Sequence, residues 1–278
     1  MRSQSTKLNG HFDYTESGKG PPIIFLHGWP FHKETYRKVI PLFERYHTCY
    51  NLNSLGMSNN GIGCHREPMD FHDHADRVIE FANEVGLEKF SILAHDTGAT
   101  IARIAAANEP AKVDKLILLN TEIPFHRPPF IPLYQRLFRL PGSSIVVKAL
   151  LKSKAYRNSR MGYGGCFHNN KLIDEEFFKL FVNHFISDHH RFEGLRQYLT
   201  QLDFNVIDRL DDIHSKIVAP TQYIWGKEDT IFPVKLGREM SERMNSCEQF
   251  VEVAHACFLP HEEQPEFVAK NAIAFMNI

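Results

Sequence analysis

The stretch Phe90-Ser91-Ile92-Leu93-Ala94-His95-Asp96-Thr97-Gly98-Ala99-Thr100-Ile101-Ala102 decides how this chain reads. An apolar, strand-like run passes through small residues flanking one reactive side chain and enters an Ala-rich helix. That is the pattern of a strand-to-helix turn presenting a nucleophile, a nucleophile elbow. Small residues belong there because the apex holds a strained backbone and the strand and helix pass close together. The apex is Asp96. A carboxylate is already an anion at neutral pH, so it attacks carbon without a base to deprotonate it and leaves a covalent alkyl ester. The same residues also read as a helix N-cap aspartate behind a buried strand.

Upstream, Pro22-Ile23-Ile24-Phe25-Leu26 is a continuously apolar strand of the kind buried on both faces of a parallel sheet, and it ends at His27-Gly28-Trp29-Pro30. A glycine directly after a buried strand lets the backbone turn sharply and present N–H groups. The N–H groups of Trp29 and Thr97 are the expected oxyanion donors; an ordinary loop stiffened by proline is the alternative. Residues 11–17 read as an edge strand, 35–46 as a helix, 49–52 as a strand, 53–58 as a tight turn and 71–85 as a helix closed near Gly86. A further buried strand at 113–119 ends at Asn120-Thr121-Glu122. Strands alternating with helices imply a mostly parallel sheet with helices on both faces, and ligand sites in such sheets lie at the carboxyl ends of the strands. Trp29, Asp96 and Glu122 all fall there.

From 123 to 203 the pattern changes. Five prolines (Pro124, Pro128, Pro129, Pro132, Pro141) crowd one stretch, and helical segments follow at 134–138, 143–151, 174–187 and 191–199. This is expected to be an α-helical cap inserted into a core formed by 1–122 and 204–278. Met161-Gly162-Tyr163-Gly164-Gly165-Cys166 reads as a mobile loop within it; it lacks the strand and helix that frame a phosphate loop. The sheet resumes at 220–225, runs into Gly226-Lys227-Glu228-Asp229-Thr230-Ile231-Phe232-Pro233, and has its last strand at 248–253, before His255; a closing helix spans 265–276. Nucleophile, acid, histidine is the chain order this layout requires, and Asp96, Asp229 and His255 supply it.

Composition narrows the partners. At 278 residues, 43% hydrophobic, the chain suits one sizeable α/β domain with an insertion. A net charge of −1 does not suggest nucleic acid or an anionic membrane as the main partner. Neither a leader-type apolar segment nor a membrane-spanning run is present, so a cytoplasmic protein is expected. The five cysteines (Cys49, Cys64, Cys166, Cys247, Cys257) are scattered without metal-type spacing and read as reduced thiols. The sixteen histidines form no metal motif, and only His27 and His255 stand out. No cofactor is expected, the partner is a small-molecule substrate, and the oligomeric state stays open.

Taken together, HGWP at 27–30, LGMS at 55–58, AHDTG at 94–98, WGKEDTIFP at 225–233 and FLPHEEQPE at 258–266 resemble an α/β-hydrolase of the aspartate-nucleophile branch. That branch holds the epoxide hydrolases and the haloalkane or haloacetate dehalogenases. The resemblance implies a two-step reaction: Asp96 opens an electrophilic sp³ carbon, then a histidine oriented by Asp229 activates water to hydrolyse the ester. The family's histidine immediately precedes a Phe, and here Cys257 holds that slot, with His255 two residues upstream as the expected base. Glu122 is the alternative acid. Thr97 and Trp29 stand where dehalogenases carry halide-binding Trp and Asn, whereas cap tyrosines protonate the alkoxide leaving an epoxide. Tyr134 and Tyr198 are the candidates, with packing roles as the alternative. Epoxide hydrolysis is therefore the nearest expectation, with dehalogenation and a non-turnover binding or signalling homologue as alternatives.

Overall fold

A computed structural model describes residues 4–6, 12–57 and 69–277. His11, Ser58 and Cys64, which the expected edge strand, turn and thiol count include, lie outside the described residues. Eight strands form one sheet: β1 (Gln4–Thr6), β2 (Tyr14–Gly18), β3 (Pro22–Leu26), β4 (Thr48–Leu52), β5 (Phe90–His95), β6 (Val113–Leu119), β7 (Thr221–Gly226) and β8 (Cys247–Val253). Their order is β1-β2-β4-β3-β5-β6-β7-β8. β2 runs antiparallel to β1 and β4, and every pair from β4 to β8 is parallel.

The central strands are apolar on both faces because both faces are covered. Ile24, Leu26, Ile92, Ala94 and Leu118 enter one core, and Ile23, Phe25, Leu93, Ile117 and Leu119 enter the other. This period-2 split of a continuous apolar run is what a parallel sheet between two helical layers requires. Among the helices, α1 (Phe71–Glu84) starts with a capping box in which the Asp70 side chain accepts the Asp73 N–H and the Asp73 side chain accepts the Asp70 N–H. α2 (Thr97–Asn108) follows β5 without a linker and is buried from Thr97 to Ala106.

The helix expected over 35–46 is instead a 3₁₀ turn at Lys33–Tyr36 and a single α turn at Ile40–Phe43. Pro41 is the cause: it has no N–H to donate back and sits in the first turn, where that loss is harmless. Between β6 and β7 the described elements are helical. The longer ones are α3 (Phe130–Phe138), α4 (Ser143–Lys152) and α5 (His189–Gln201), and a π-helical turn spans Phe178–Val182. Helical turns continue beyond residue 203 through Phe204–Arg209 and Leu210–His214. α6 (Val234–Glu242) and α7 (Pro265–Met276) complete the layers. No helix among the described residues is long and apolar enough to cross a membrane.

The glycine-rich stretch after residue 160 is a packed wall rather than a free loop. A Cβ on Gly162 would lie 2.4 Å from the Tyr156 carbonyl oxygen, and one on Gly164 2.1 Å from that of Asn158. Glycine is required because backbone passes against backbone. The turn thereby buries Tyr163 and Cys166.

Candidate active site

The carboxyl ends of β3, β5, β6 and β7 meet beneath the helices that follow β6, around a cavity that opens to solvent. Its walls are mostly apolar, with Phe138, Val147, Leu151 and Leu199 on the helical side. Asp96, Thr97, Glu122 and Trp29 form its floor.

Asp96 has φ 54° and ψ −132°, a left-handed conformation uncommon for any residue with a side chain. The surroundings hold it there. Its N–H donates to the Asn120 carbonyl at 3.1 Å, and its own carbonyl accepts from Ala99 N–H at 2.8 Å and from Thr121 Oγ1 at 3.0 Å. A Cβ on Gly28 would lie 2.3 Å from Asp96 Cβ, and one on Gly98 2.4 Å from the His27 carbonyl oxygen, so both flanking glycines are steric necessities. The Asp96 side chain makes no cap hydrogen bond to α2. It accepts instead from the Trp29 N–H, 2.9 Å from Oδ2, and the Thr97 N–H also favours its anion. Burial foremost, and then the nearby Glu122 charge, push the Asp96 carboxyl well above the usual carboxylate range despite these donors.

Thr97 Oγ1 also accepts from the Trp29 N–H at 3.0 Å and lies 3.1 Å from the Tyr198 hydroxyl. Tyr198 is fully buried and is not part of the cavity lining, so this candidate acid buttresses Thr97 instead of facing a ligand. Tyr134 does line the cavity. Its hydroxyl donates to the Met161 carbonyl at 2.8 Å and sits against the Tyr156 hydroxyl. The Trp29 indole N–H is committed to the Leu195 carbonyl at 3.0 Å.

Glu122 Oε2 accepts from Thr100 Oγ1 at 2.8 Å, lies 2.9 Å from Thr121 Oγ1, and faces the buried Arg103 guanidinium at 3.8 Å. Asp229 sits in the loop after β7. Its Oδ1 accepts from the N–H groups of Ile231 (2.7 Å) and Phe232 (3.1 Å), and its Oδ2 accepts from Asn120 Nδ2 at 2.6 Å. Asn120 is fixed in turn by the Gly226 N–H, which donates to its Oδ1 at 2.9 Å. Burial raises the Asp229 carboxyl to about 7.

His255 does not join this group. β8 ends at Val253, and the chain turns through His255 at φ 57°, leaving its side chain exposed and packed against the His168 ring. Glu228 fixes that register by accepting the N–H groups of His255 (3.3 Å) and Ala256 (3.1 Å). Cys257 points inward, where its thiol donates to the Glu228 carbonyl at 3.1 Å. Burial, reinforced by Glu263, Asp229 and Glu228, lifts that thiol to about 12, so it is no base near neutrality. His27 is structural: Nδ1–H donates to the Gly28 carbonyl and Nε2 accepts the Ser54 N–H, each at 3.0 Å, and burial lowers the ring to about 4.

Two residues that pattern reading passed over, His126 and Cys166, line the cavity. Neither belongs to a spaced motif, and only the path of the helical segment delivers them. Among the described residues no cluster of His, Cys, Asp or Glu is placed to hold a metal ion.

A model of the alpha/beta hydrolase fold matches residues 21–265. Over nearly the whole chain the sequence is similar to the AB hydrolase superfamily protein YisY of Bacillus subtilis, 26% identical over 275 residues, covering 92% of this chain and 96% of that protein. A shorter match, 29% identical over 117 residues, is to a soluble epoxide hydrolase of a Corynebacterium species and covers 41% of this chain and 39% of that one. Among solved structures, an epoxide hydrolase without ligand superposes with a TM-score of 0.78 at 18% identity, covering 99% of this chain and 98% of that chain. At that identity the likeness is one of fold.

Proposed function

Because this chain belongs to the alpha/beta hydrolase fold family, we propose that it is a hydrolase acting on a small, mostly apolar electrophile through an Asp96 alkyl ester, nearest in chemistry to an epoxide hydrolase. One observation carries the reading. The Asp96 carboxylate lines an apolar cavity while its Oδ2 is held at 2.9 Å by the Trp29 N–H. An oxygen held by a backbone donor keeps the carboxylate aimed, and that donor then stabilises the oxyanion formed when water attacks the ester.

Opening of an epoxide leaves an alkoxide that must be protonated. Of the cavity tyrosines, Tyr134 is assigned this role, its hydroxyl turning from the Met161 carbonyl toward the leaving oxygen. The arrangement speaks against halide release, since the Trp29 indole N–H is already spent on Leu195 and position 97 is threonine. The helical segment over the cavity serves as the cap that excludes water while the ester forms. A second reading, a binding homologue that has lost turnover, is favoured by the outward His255 and the high thiol pKa of Cys257.

Incubating the purified chain with a panel of terminal epoxides and haloalkanes, followed by product analysis and intact mass, tests the proposal. Diol release that vanishes in Asp96→Asn is the expected result. Halide release would move the substrate class, a stable adduct on Asp96 would favour the second reading, and diol formation unchanged in Asp96→Asn would refute the mechanism.

A further inference from the structure

His126 is the one histidine among the described residues that line the cavity with Asp96. Its Nε2 lies 2.8 Å from the Ile231 carbonyl oxygen. A carbonyl only accepts, so the proton of the neutral ring sits on Nε2 and the lone pair on Nδ1. Nδ1 makes no hydrogen bond to any described residue.

The carbonyl that fixes this tautomer belongs to the Ile231–Phe232 peptide, and the N–H of that same peptide donates to Asp229 Oδ1 at 3.1 Å. Asp229 therefore reaches the imidazole through one polarised peptide group. Once Asp229 is ionised, its negative charge on the N–H side makes the carbonyl a better acceptor and favours the ring as it takes up a second proton.

The ring is also placed before any ligand arrives. His126 N–H closes a turn onto the Ile123 carbonyl at 3.1 Å. Phe125, the residue before it, is held at φ 61° and is 81% exposed. A bulky residue there is strained, and such strain persists only where neighbours impose it. Asp208 imposes it: Oδ1 accepts the Phe125 N–H at 3.2 Å and Oδ2 accepts from Arg127 at 2.7 Å. Backbone strain, an anchored turn, an oriented tautomer and an edge-on contact with the Phe232 ring thus fix this side chain in place.

We propose that His126 is the general base of this site, doing from the start of the helical segment what neither His255 nor Cys257 is placed to do; the inference rests on the Asp96 ester reading. In the step, His126 Nδ1 takes a proton from water as its oxygen bonds to the Asp96 carboxyl carbon. The bond from that carbon to the alkyl oxygen then breaks, the departing alkoxide takes the proton back from the imidazolium, and Asp96 is left as a carboxylic acid that loses its proton to solvent. Water is consumed, the diol leaves and no further reactant is required.

The test compares wild type, His126→Gln, His126→Ala and Asp96→Asn with styrene oxide, following diol release and intact mass. Gln retains an N–H able to reach the Ile231 carbonyl, which separates basicity from folding. Wild type should release diol with no lasting adduct. His126→Gln should lose about 10²–10⁴-fold in turnover and accumulate one epoxide mass on Asp96, and free imidazole should restore part of the turnover of His126→Ala. Equal turnover in His126→Gln and wild type, or an adduct equally stable in both, would overturn the role of His126 while leaving the Asp96 ester standing. Absence of both adduct and Asp96-dependent diol in every variant would remove the ester reading, and the base with it.

Discussion

Asp229 is buried with three donors and no imidazole beside it, which gives it a measurable signature. Its carboxyl is raised by burial from 3.8 to about 7, so the folded state binds a proton there that the unfolded chain releases near pH 4. The stability this contributes is fully present below the unfolded value and is lost as pH rises through about 7. At about 1.36 kcal/mol per pH unit, a rise of roughly three units amounts to about 4 kcal/mol. In Asp229→Asn the amide oxygen keeps the Ile231 and Phe232 N–H groups, while its NH₂ faces Asn120 Nδ2, a mismatch of two donors. That mismatch costs about 1–3 kcal/mol at every pH, so it moves the level of the curve and leaves its slope alone. Urea unfolding of both proteins between about pH 4.5 and about pH 7.5 isolates the term, because the buried histidines contribute equally to each. The wild-type-minus-variant difference should fall by about 3 kcal/mol across that window. Parallel curves would show that Asp229 ionises as an ordinary carboxylate and that its environment is more polar than its burial and partners imply.

The remaining predictions bear on reactivity. Because Asp96 is held above the usual carboxylate range, its alkylation rate, read by intact mass, should rise with pH past the point where an ordinary carboxylate is fully ionised; a rate flat above about pH 5 would contradict this. Gly28→Ala places a methyl 2.3 Å from Asp96 Cβ, so adduct formation should drop about 10²-fold through misplacement of the Trp29 N–H, with chemical denaturation showing a loss of about 1–3 kcal/mol. Cys257→His puts an imidazole next to the Asp229 loop; in a His126→Gln background, hydrolysis of the accumulated Asp96 ester should quicken by at least about 10²-fold, and an unchanged rate would mean that the inward direction of position 257 does not reach the ester.

Much of the architecture is legible in local pattern. The apolar runs of β3, β5 and β6, the small residues around position 96 and the capping aspartates of α1 are properties of neighbouring residues, and burial then follows from alternation along each strand. Even so, helix periodicity over 35–46 hid a break at Pro41, because a 3.6-residue repeat does not register a missing donor.

The site divides differently. Sequence alone marked Asp96, the donors at Trp29 and Thr97, and the Asp229 loop, since each lies at a strand end where the chain must turn and small or acidic residues have a local reason to be there. Which histidine shares the cavity with Asp96 is not a local property. A loop register set by Glu228 turned His255 to the surface and Cys257 inward, and an anchored turn far from any motif brought His126 to the cavity. Strand ends are specified by residues within a few positions of one another, whereas the direction of a side chain on a connecting loop is decided by contacts across the whole fold.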